Sequence, residues 1–438
     1  MRRARLLLLP LAVLYLAIAL ASPSSPPTGD TARYVRFAEN LTRGHYSSPG
    51  EVNLWNGPGY PLMLAPFVAL KLPWVWAKIL NAALLVAALA YFQATLGRYV
   101  SPKCAVIATC VLGLWPPLVK MVPLLLSEVP SVFLVCGFAF HFCACQAGRA
   151  PASRARGNSL VHTIVSALFL GYLALTRVLF GYVALTLAVL SLAVYAWRRK
   201  PAFLRSALVS VLALVICLPY LVYTYSLTGR PFYWATSGGL SLYWMASPYQ
   251  GDLGDWHTPG AVVRIPELAR NHADFFTEIG RLSPVAQDDA LRRRALENIG
   301  AHPGRYLANW VANLGRLIFN YPYSYRTERP SPWLHVIPGA LLVAALAWSA
   351  LALGARRIRR RNQASGGTRV SEEARRQGET QIPAEIWVLA LFGLAAFGGS
   401  SLLSAFNRFL LPILPVALLW IASVFPGLTL AGPPSRLS

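Results

Sequence analysis

The chain has 438 residues, is 55% hydrophobic and only 13% charged, and carries a formal net charge of +23. Soluble domains carry nearer a quarter charged residues, so this composition excludes an ordinary soluble globular protein. The basic residues lie between apolar stretches instead of forming a basic face with interleaved aromatic residues, which argues against a nucleic-acid-binding protein.

The apolar stretches are long enough to cross a hydrocarbon core of about 30 Å, and only helices satisfy their own backbone there. We expect spans at about 5–22, 75–96, 104–119, 126–146, 160–176, 179–197, 206–226, 333–353, 384–404 and 408–427. The apolar segment 59–72 is too short and is expected to be interfacial or re-entrant. The sequence therefore predicts an all-α polytopic membrane protein with about ten or eleven transmembrane helices.

The positions of the basic residues predict the orientation of the chain. If Arg2, Arg3 and Arg5 are cytoplasmic, every short basic loop falls on the cytoplasmic side, as the positive-inside rule requires. The arginines, the apolar run and Ala-Leu-Ala before Ser22 also resemble a cleaved secretory signal, which is the alternative for this first segment.

This topology divides the chain into three parts. Residues 1–226 form an N-terminal transmembrane module with a first outer loop at 23–58. We expect residues 227–332 to form a loop domain on the non-cytoplasmic side, with helical patterns near 264–280 and 284–300 and a segment near 310–319 that returns toward the membrane. Residues 333–427 form C-terminal transmembrane helices, joined by a basic cytoplasmic linker at 356–382 that we expect to be flexible.

The first outer loop carries a candidate catalytic acid. Asp30 precedes a helical pattern in which Tyr34, Phe37 and Leu41 recur, as in a helix that lies on the membrane surface. The alternative role of Asp30 is an N-cap, with its carboxylate accepting backbone N–H bonds.

A second acid, Glu128, stands at the outer end of the fourth span. A carboxylate is costly at such a depth and marks a functional site by default. The alternative is an acid favoured by the helix dipole, with Ser127 as the cap. Because the topology puts Asp30 and Glu128 on the same face, the two carboxylates could act in general base catalysis or hold a cation.

Two arginines, Arg177 and Arg408, lie at outer ends of spans. They could extend toward lipid phosphates of the bilayer, or they could clamp a phosphate of a lipid substrate. Tyr60 follows the turn Gly57-Pro58-Gly59 into the apolar segment.

The remaining polar patterns predict no cofactor. Asp252, Asp255 and His257 could ligate a metal, but their spacing is a weak pattern that the polarity of a loop explains, and we predict no metal site. The six cysteines all lie in apolar segments, which is neither a disulfide framework nor zinc spacing.

The order of these motifs resembles a known family. The motifs are Gly29 through Gly44, Pro58 to Leu62, the Leu-Ser-Glu that ends at Glu128, Leu175 to Arg177, and Asn407 to Pro415. Together they resemble the GT-C membrane glycosyltransferases, in particular the branch similar to protein mannosyltransferases and the aminoarabinose transferase of lipid A (glycosyltransferase family 39). The resemblance implies a GT-C-like helical bundle.

The resemblance also implies a function. Asp30 would be the catalytic base and Glu128 would assist it, with Tyr34, Tyr60, Arg177 and Arg408 as substrate-binding residues. The donor would be a sugar on a polyprenyl phosphate, transferred with inversion to a lipid, glycan or protein acceptor, with membrane lipids and no nucleic acid as further partners. The site would face the periplasm in the bacterial inner membrane.

Two other functions compete with this interpretation. Thr31 follows Asp30, where protein mannosyltransferases and the aminoarabinose enzyme usually carry a second acid, so neither their sugar nor their acceptor is inferred. A transporter or flippase of lipid-linked glycans would place acids or broken helices near the middle of spans. A non-catalytic membrane scaffold would bind a partner through the loop domain.

Overall fold

The computed structural model describes residues 8–23, 26–48, 52–146, 152–326, 329–365 and 382–425. The N-terminal arginines, Arg2, Arg3 and Arg5, lie outside the described residues. So does the greater part of the expected linker, residues 366–381.

Helices dominate the described residues, among which there is no β-strand. The helices of the first half are α1 (Leu8–Ala21), α2 (Gly29–Thr42), α3 (Gly59–Ala69), α4 (Val75–Leu96), α5 (Pro102–Gly113), α6 (Pro116–Val119), α7 (Glu128–Gln146), α8 (Ala152–Thr176), α9 (Leu179–Arg198) and α10 (Pro201–Thr228). Those of the second half are α11 (Gly238–Met245), α12 (Pro259–Arg264), α13 (Pro266–Ile279), α14 (Pro284–Ala301), α15 (Pro303–Phe319), α16 (Ile337–Ser365), α17 (Ala384–Ser401) and α18 (Leu414–Val424).

Within the described residues, 7 helices are long and apolar enough to cross a membrane. They are α4, α7, the part of α8 from Ser159, α9, α10, the stretch Pro332–Arg356 that includes the start of α16, and α17. The chain is therefore an integral, multi-pass membrane protein, and the predicted all-α polytopic fold class is confirmed.

Prolines interrupt two of the expected spans. The span expected at 104–119 ends as α5 at Gly113, and the short helix α6 begins at Pro116. The span expected at 408–427 begins with a 3-10 turn, Asn407–Leu410, and continues as α18 only from Leu414. Proline lacks the backbone N–H that a continuing helix needs, and the sequence carries prolines at both interruptions.

Two other helices differ from a standard span: one is shorter than the bilayer is thick, and the other extends beyond its expected end. Helix α3 has 11 residues, so it is too short to cross the bilayer, in keeping with the interfacial or re-entrant interpretation of 59–72. Helix α16 continues through residues 356–365, where the sequence had predicted the start of a flexible linker.

Helix α7 packs against both α4 and α8. Helix α10 packs against α8 and α9, and α17 packs against α9. The rings of Phe138, Phe142 and Phe392 are buried where α7 meets α17. Helix α1 joins the bundle through Tyr15, whose hydroxyl donates to the carbonyl oxygen of Gly113 at 2.6 Å.

The loop between α2 and α3 is fixed against the end of α8 by close backbone contacts. The hydroxyl of Tyr172 donates to the carbonyl oxygen of Gly59 at 2.8 Å. A Cβ atom at Gly57 would lie 2.1 Å from the carbonyl oxygen of Leu175, and one at Gly59 would lie 2.5 Å from the hydroxyl oxygen of Thr176. Only glycine allows this approach, which aligns the first loop with the residue that follows α8, Arg177.

The loop domain has a hydrophobic core of its own, with Tyr243, Trp244, Leu268 and Leu291 among its buried residues. Backbone hydrogen bonds join it to the rest of the chain. Thr236 N–H donates to the carbonyl oxygen of Leu54 at 3.0 Å, and Ser404 N–H donates to that of Ser241 at 3.1 Å. The loop domain thereby covers the end of the bundle at which α2, α7 and α8 present their polar residues.

Replacing Gly59 with alanine tests this close packing. We expect Gly59→Ala to lower the free energy of unfolding by about 1–3 kcal/mol, because the new methyl group meets the backbone of α8. The measurement is the melting temperature of the purified protein in detergent. The control is Gly398→Ala in α17, where a Cβ meets nothing within 4 Å. Equal melting temperatures for the two variants would contradict the predicted clash.

Candidate active site

Both candidate acids lie at the start of a helix. Asp30 is in the first turn of α2, two residues after the extended residue Thr28 at the N-cap position, and Glu128 is the first residue of α7. The partial positive charge of a helix N-terminus stabilises a carboxylate in either place. The cap position itself belongs to Thr28, so Asp30 is not the N-cap that the alternative interpretation required.

The guanidinium group of Arg408 joins the two acids. It forms a hydrogen-bonded ion pair with Asp30, and its Nε atom lies 3.5 Å from Oε1 of Glu128. Arg33, one turn after Asp30 in α2, pairs with the other carboxylate oxygen of Asp30. The side chain of Arg408, from the C-terminal part of the chain, therefore contacts two acids from the N-terminal part.

Arg177 completes the cluster from the end of α8. Its Nη2 atom lies 3.7 Å from Oε1 of Glu128, whose side chain is only 2% exposed. The planar ring of Phe409 stacks beneath the guanidinium group at 4.6 Å. The sequence offered no acid near either arginine, and the fold supplies both acids from distant segments.

The arginines control the ionisation of Asp30. Burial raises the pKa of this carboxyl, but the charges and hydrogen bonds of Arg408 and Arg33 outweigh the burial, and the net effect lowers the pKa below its ordinary value. Asp30 is therefore a carboxylate at neutral pH, the form that can accept a proton.

The two predicted tyrosines differ in position. The hydroxyl of Tyr34 donates to Oγ of Ser127 at 3.1 Å and accepts from Nδ2 of Asn56 at 3.3 Å, at the wall of a cavity. Tyr60 packs edge-on against the Tyr34 ring at 5.0 Å and is buried behind it. Tyr34 thus faces the cavity, whereas Tyr60 supports Tyr34.

The cluster opens into a cavity of about 310 Å³. Five of the six predicted site residues line it, all but Tyr60, and the loop domain contributes Trp234, Trp256 and Arg292. Several buried polar atoms of its lining have no hydrogen-bond partner among the described residues: Arg33 Nε, Arg177 Nη1, Trp234 Nε1, Glu128 Oε2, Asn56 Oδ1 and Ser404 Oγ. Buried polar groups are normally paired, so these atoms indicate a polar ligand.

Sequence reasoning missed part of this site. The spacing of Arg33, three residues after Asp30, could have identified it as a partner on the same helix face. Trp256 and Arg292 carried no such signal, because only the packing of the loop domain over the bundle brings them to the cavity.

The two aspartates of the weak metal pattern accept hydrogen bonds within the loop domain. Asp252 pairs with Nε2 of His272 at 2.8 Å and accepts from Ser247 and Tyr325. Burial raises its pKa, but these hydrogen bonds outweigh the burial and lower it. Asp255 instead accepts from Ser324 and lies 3.4 Å from His257. Among the described residues no group of three or more His, Cys, Asp or Glu side chains could hold a metal ion.

Solved structures share this architecture. An oligosaccharyltransferase from Archaeoglobus fulgidus matches with TM-scores of 0.53 in its apo form and 0.51 in complex with an inhibitory peptide and a dolichol-phosphate, at 13% identity over 95% of this chain. The chain has a GT-C fold. It spans about half the length of that archaeal protein, and the GT-C architecture expected from the sequence is confirmed.

Two further GT-C proteins match less closely. They are ArnT from Cupriavidus metallidurans bound to undecaprenyl phosphate (TM-score 0.42, 15% identity, 95% of this chain and 76% of that one) and the protein O-mannosyltransferase complex of S. cerevisiae bound to the sugar donor (TM-score 0.39, 17% identity, 52% and 34%). No protein-family model matches the chain, and no curated protein matches its sequence.

Replacing Glu128 with glutamine tests the buried charge cluster. We expect Glu128→Gln to lower the free energy of unfolding by about 3–5 kcal/mol, because Arg177 keeps a buried charge without its counter-charge. Thermal unfolding in detergent measures the loss, and adding Arg177→Met should restore part of it.

The control for this prediction is Glu297→Gln in α14, which removes the acid of an exposed pair with Arg294 and should cost at most about 1 kcal/mol. Equal losses for Glu128→Gln and Glu297→Gln would contradict the assigned burial of the cluster.

Proposed function

We propose that this GT-C protein is an inverting glycosyltransferase. It moves a sugar from a polyprenyl-phosphate carrier to a hydroxyl or amine of a lipid, glycan or protein acceptor, on the periplasmic face of the bacterial inner membrane. The observation that carries the proposal is the pairing of Asp30 and Glu128 with Arg408 at a cavity lined by unpartnered buried polar atoms.

Asp30 is the catalytic base in this reaction. The acceptor oxygen or nitrogen attacks the anomeric carbon from the side opposite the phosphate, and its proton passes to the Asp30 carboxylate. The bond between the anomeric carbon and the phosphate oxygen breaks, and polyprenyl phosphate leaves with the bonding electrons. A single displacement of this kind inverts the anomeric centre.

The arginines stabilise the departing phosphate. Arg408 and Arg177 are neighbours around Glu128, so a phosphate at this place would meet two fixed guanidinium groups. When the donor binds, its phosphate competes with Asp30 for Arg408. The exchange releases the Asp30 carboxylate at the moment when a substrate is present to use it.

The rest of the cavity suits a sugar. Asn56 and Ser404 provide buried oxygen atoms, and Trp234 provides a buried N–H group, each without a partner among the described residues. Such groups can pair with sugar hydroxyls, and the rings of Trp55 and Trp256 add apolar surfaces. The archaeal oligosaccharyltransferase of the same fold, in its complex with a dolichol-phosphate, supports a lipid-phosphate donor.

The position of the acids favours transfer over transport. A flippase should carry its charged groups near the middle of its spans. Here Glu128 begins α7 and Arg177 directly follows α8, so the cluster lies at one end of the bundle. An enzyme that works at one face of the membrane fits this placement.

An asparagine at position 30 tests the assignment of the base. We expect Asp30→Asn to lower the rate of transfer by about 10²–10⁴-fold, because the amide cannot accept the acceptor's proton. The measurement is single-turnover transfer from a radiolabelled polyprenyl-phosphate sugar to total envelope acceptors. Asp274→Asn, at an exposed position of α13, is the control and should keep full activity. An active Asp30→Asn protein would remove Asp30 from the role of base.

The pH dependence of transfer tests the role of Arg408. The base works only above its pKa, and Arg408 lowers that pKa. Arg408→Gln should therefore move the acidic limb of the kcat/KM profile to higher pH, apart from any loss of rate. Arg43→Gln, at an exposed position at the end of α2, should leave the limb in place. If the acidic limb of the kcat/KM profile of Arg408→Gln stays in place or moves to lower pH, the result would contradict the ion pair between Arg408 and Asp30.

A further inference from the structure

Helix α15 buries its polar side chains and exposes apolar side chains on the opposite face. From 307 to 319 its polar side chains are Asn309, Asn313 and Arg316, with relative exposures of 1%, 0% and 0%. Leu307 and Val311, on the opposite face, are 57% and 58% exposed. A helix that faces water carries the opposite arrangement, with apolar side chains inward and polar side chains outward.

The buried polar face has specific partners. Nδ2 of Asn309 donates to the carbonyl oxygens of Met245 and Ser247, at 3.1 and 3.0 Å. Arg316 donates to the carbonyl oxygen of Leu253 at 2.8 Å. The buried polar side chains of α15 therefore form hydrogen bonds with carbonyl oxygens of neighbouring loops. These bonds explain why the polar residues are buried, but not why the apolar residues are exposed.

Helix α15 lies where two spanning helices end. Nε1 of Trp310 donates to Oγ of Ser401, the last residue of α17, at 3.2 Å. A Cβ atom at Gly339, near the start of α16, would lie 2.6 Å from the carbonyl oxygen of Ile318. Both contacts place α15 at the level of the membrane boundary.

The two spans against which α15 packs also expose apolar side chains. Leu341 of α16 and Leu402, just after α17, are exposed large apolar residues on the spans against which α15 packs. Because these spans contact lipid acyl chains, we expect the neighbouring face of α15 to contact lipid as well.

We propose that α15 is an interfacial membrane helix, which lies in the leaflet on the site side with Leu307 and Val311 among the lipid acyl chains. The partner is the bilayer itself. The loop domain is then seated on the membrane through one of its own helices, and this inference stands independently of the proposed function.

The membrane contact of α15 connects to the candidate site. Oδ1 of Asn313 accepts from the backbone N–H of Ala405 at 3.1 Å, and Nδ2 of Asn407 donates to the carbonyl oxygen of Leu317 at 3.0 Å. These bonds fix the segment that carries Arg408 to Asp30. The depth of α15 in the leaflet therefore sets the position of Arg408.

Spin labels on α15 test the proposal in the full-length protein, reconstituted in vesicles of phosphatidylethanolamine and phosphatidylglycerol. Leu307→Cys and Val311→Cys each receive a nitroxide, and the signal of labelled wild type is subtracted. The probes should collide with oxygen, which concentrates in lipid, several-fold more than with a water-soluble nickel chelate. The control is Glu297→Cys in α14, a side chain that is 68% exposed and should give the reverse preference.

Two outcomes would overturn the inference. Preferential collision with the nickel chelate at both α15 positions would place the helix in water. Shielding from both reagents, with spin–spin broadening, would mean that a second copy of the chain covers this face. Each variant must keep the melting temperature of wild type, and two separate probe positions guard against the failure of either one.

Discussion

The guanidinium group of Arg408 is the interaction on which the candidate site depends. It brings a carboxylate of the first loop and a carboxylate of α7 to the same place, although 378 residues of sequence separate it from Asp30. Without it, two acids at the starts of two helices would repel each other near a membrane boundary. With it they form a compact cluster that also presents positive charge to a cavity.

Two sets of packing contacts position this cluster. Glycines at 57 and 59 let the first loop touch the backbone at the end of α8, beside Arg177. The polar face of α15 holds the segment that leads to Arg408. The transmembrane bundle, the loop domain and the C-terminal helices each contribute one wall, so the site exists only in the assembled chain.

The sequence predicted the parts of the protein that depend on local chemistry. Long apolar runs revealed the bundle, and the charged residues at the ends of those runs marked Asp30, Glu128, Arg177 and Arg408. It could not predict the pairs among them, because these depend on how distant helices pack. It also overestimated the spans near Pro116 and Pro412, where apolar composition continues but the prolines prevent a continuous helix. Trp256 and Arg292 were missed because nothing local distinguishes them from other residues of the loop domain.

We propose that Arg408 is shared between Asp30, as the candidate base, and the phosphate of a lipid substrate. A double-mutant cycle on the affinity for polyprenyl phosphate, in detergent micelles, measures this sharing. Replacing Asp30 with asparagine should tighten binding of the lipid phosphate more when Arg408 is present than when it is glutamine, since only the first case releases a competing partner. An equal effect in the two backgrounds, or weaker binding after loss of the Asp30 charge, would contradict the account.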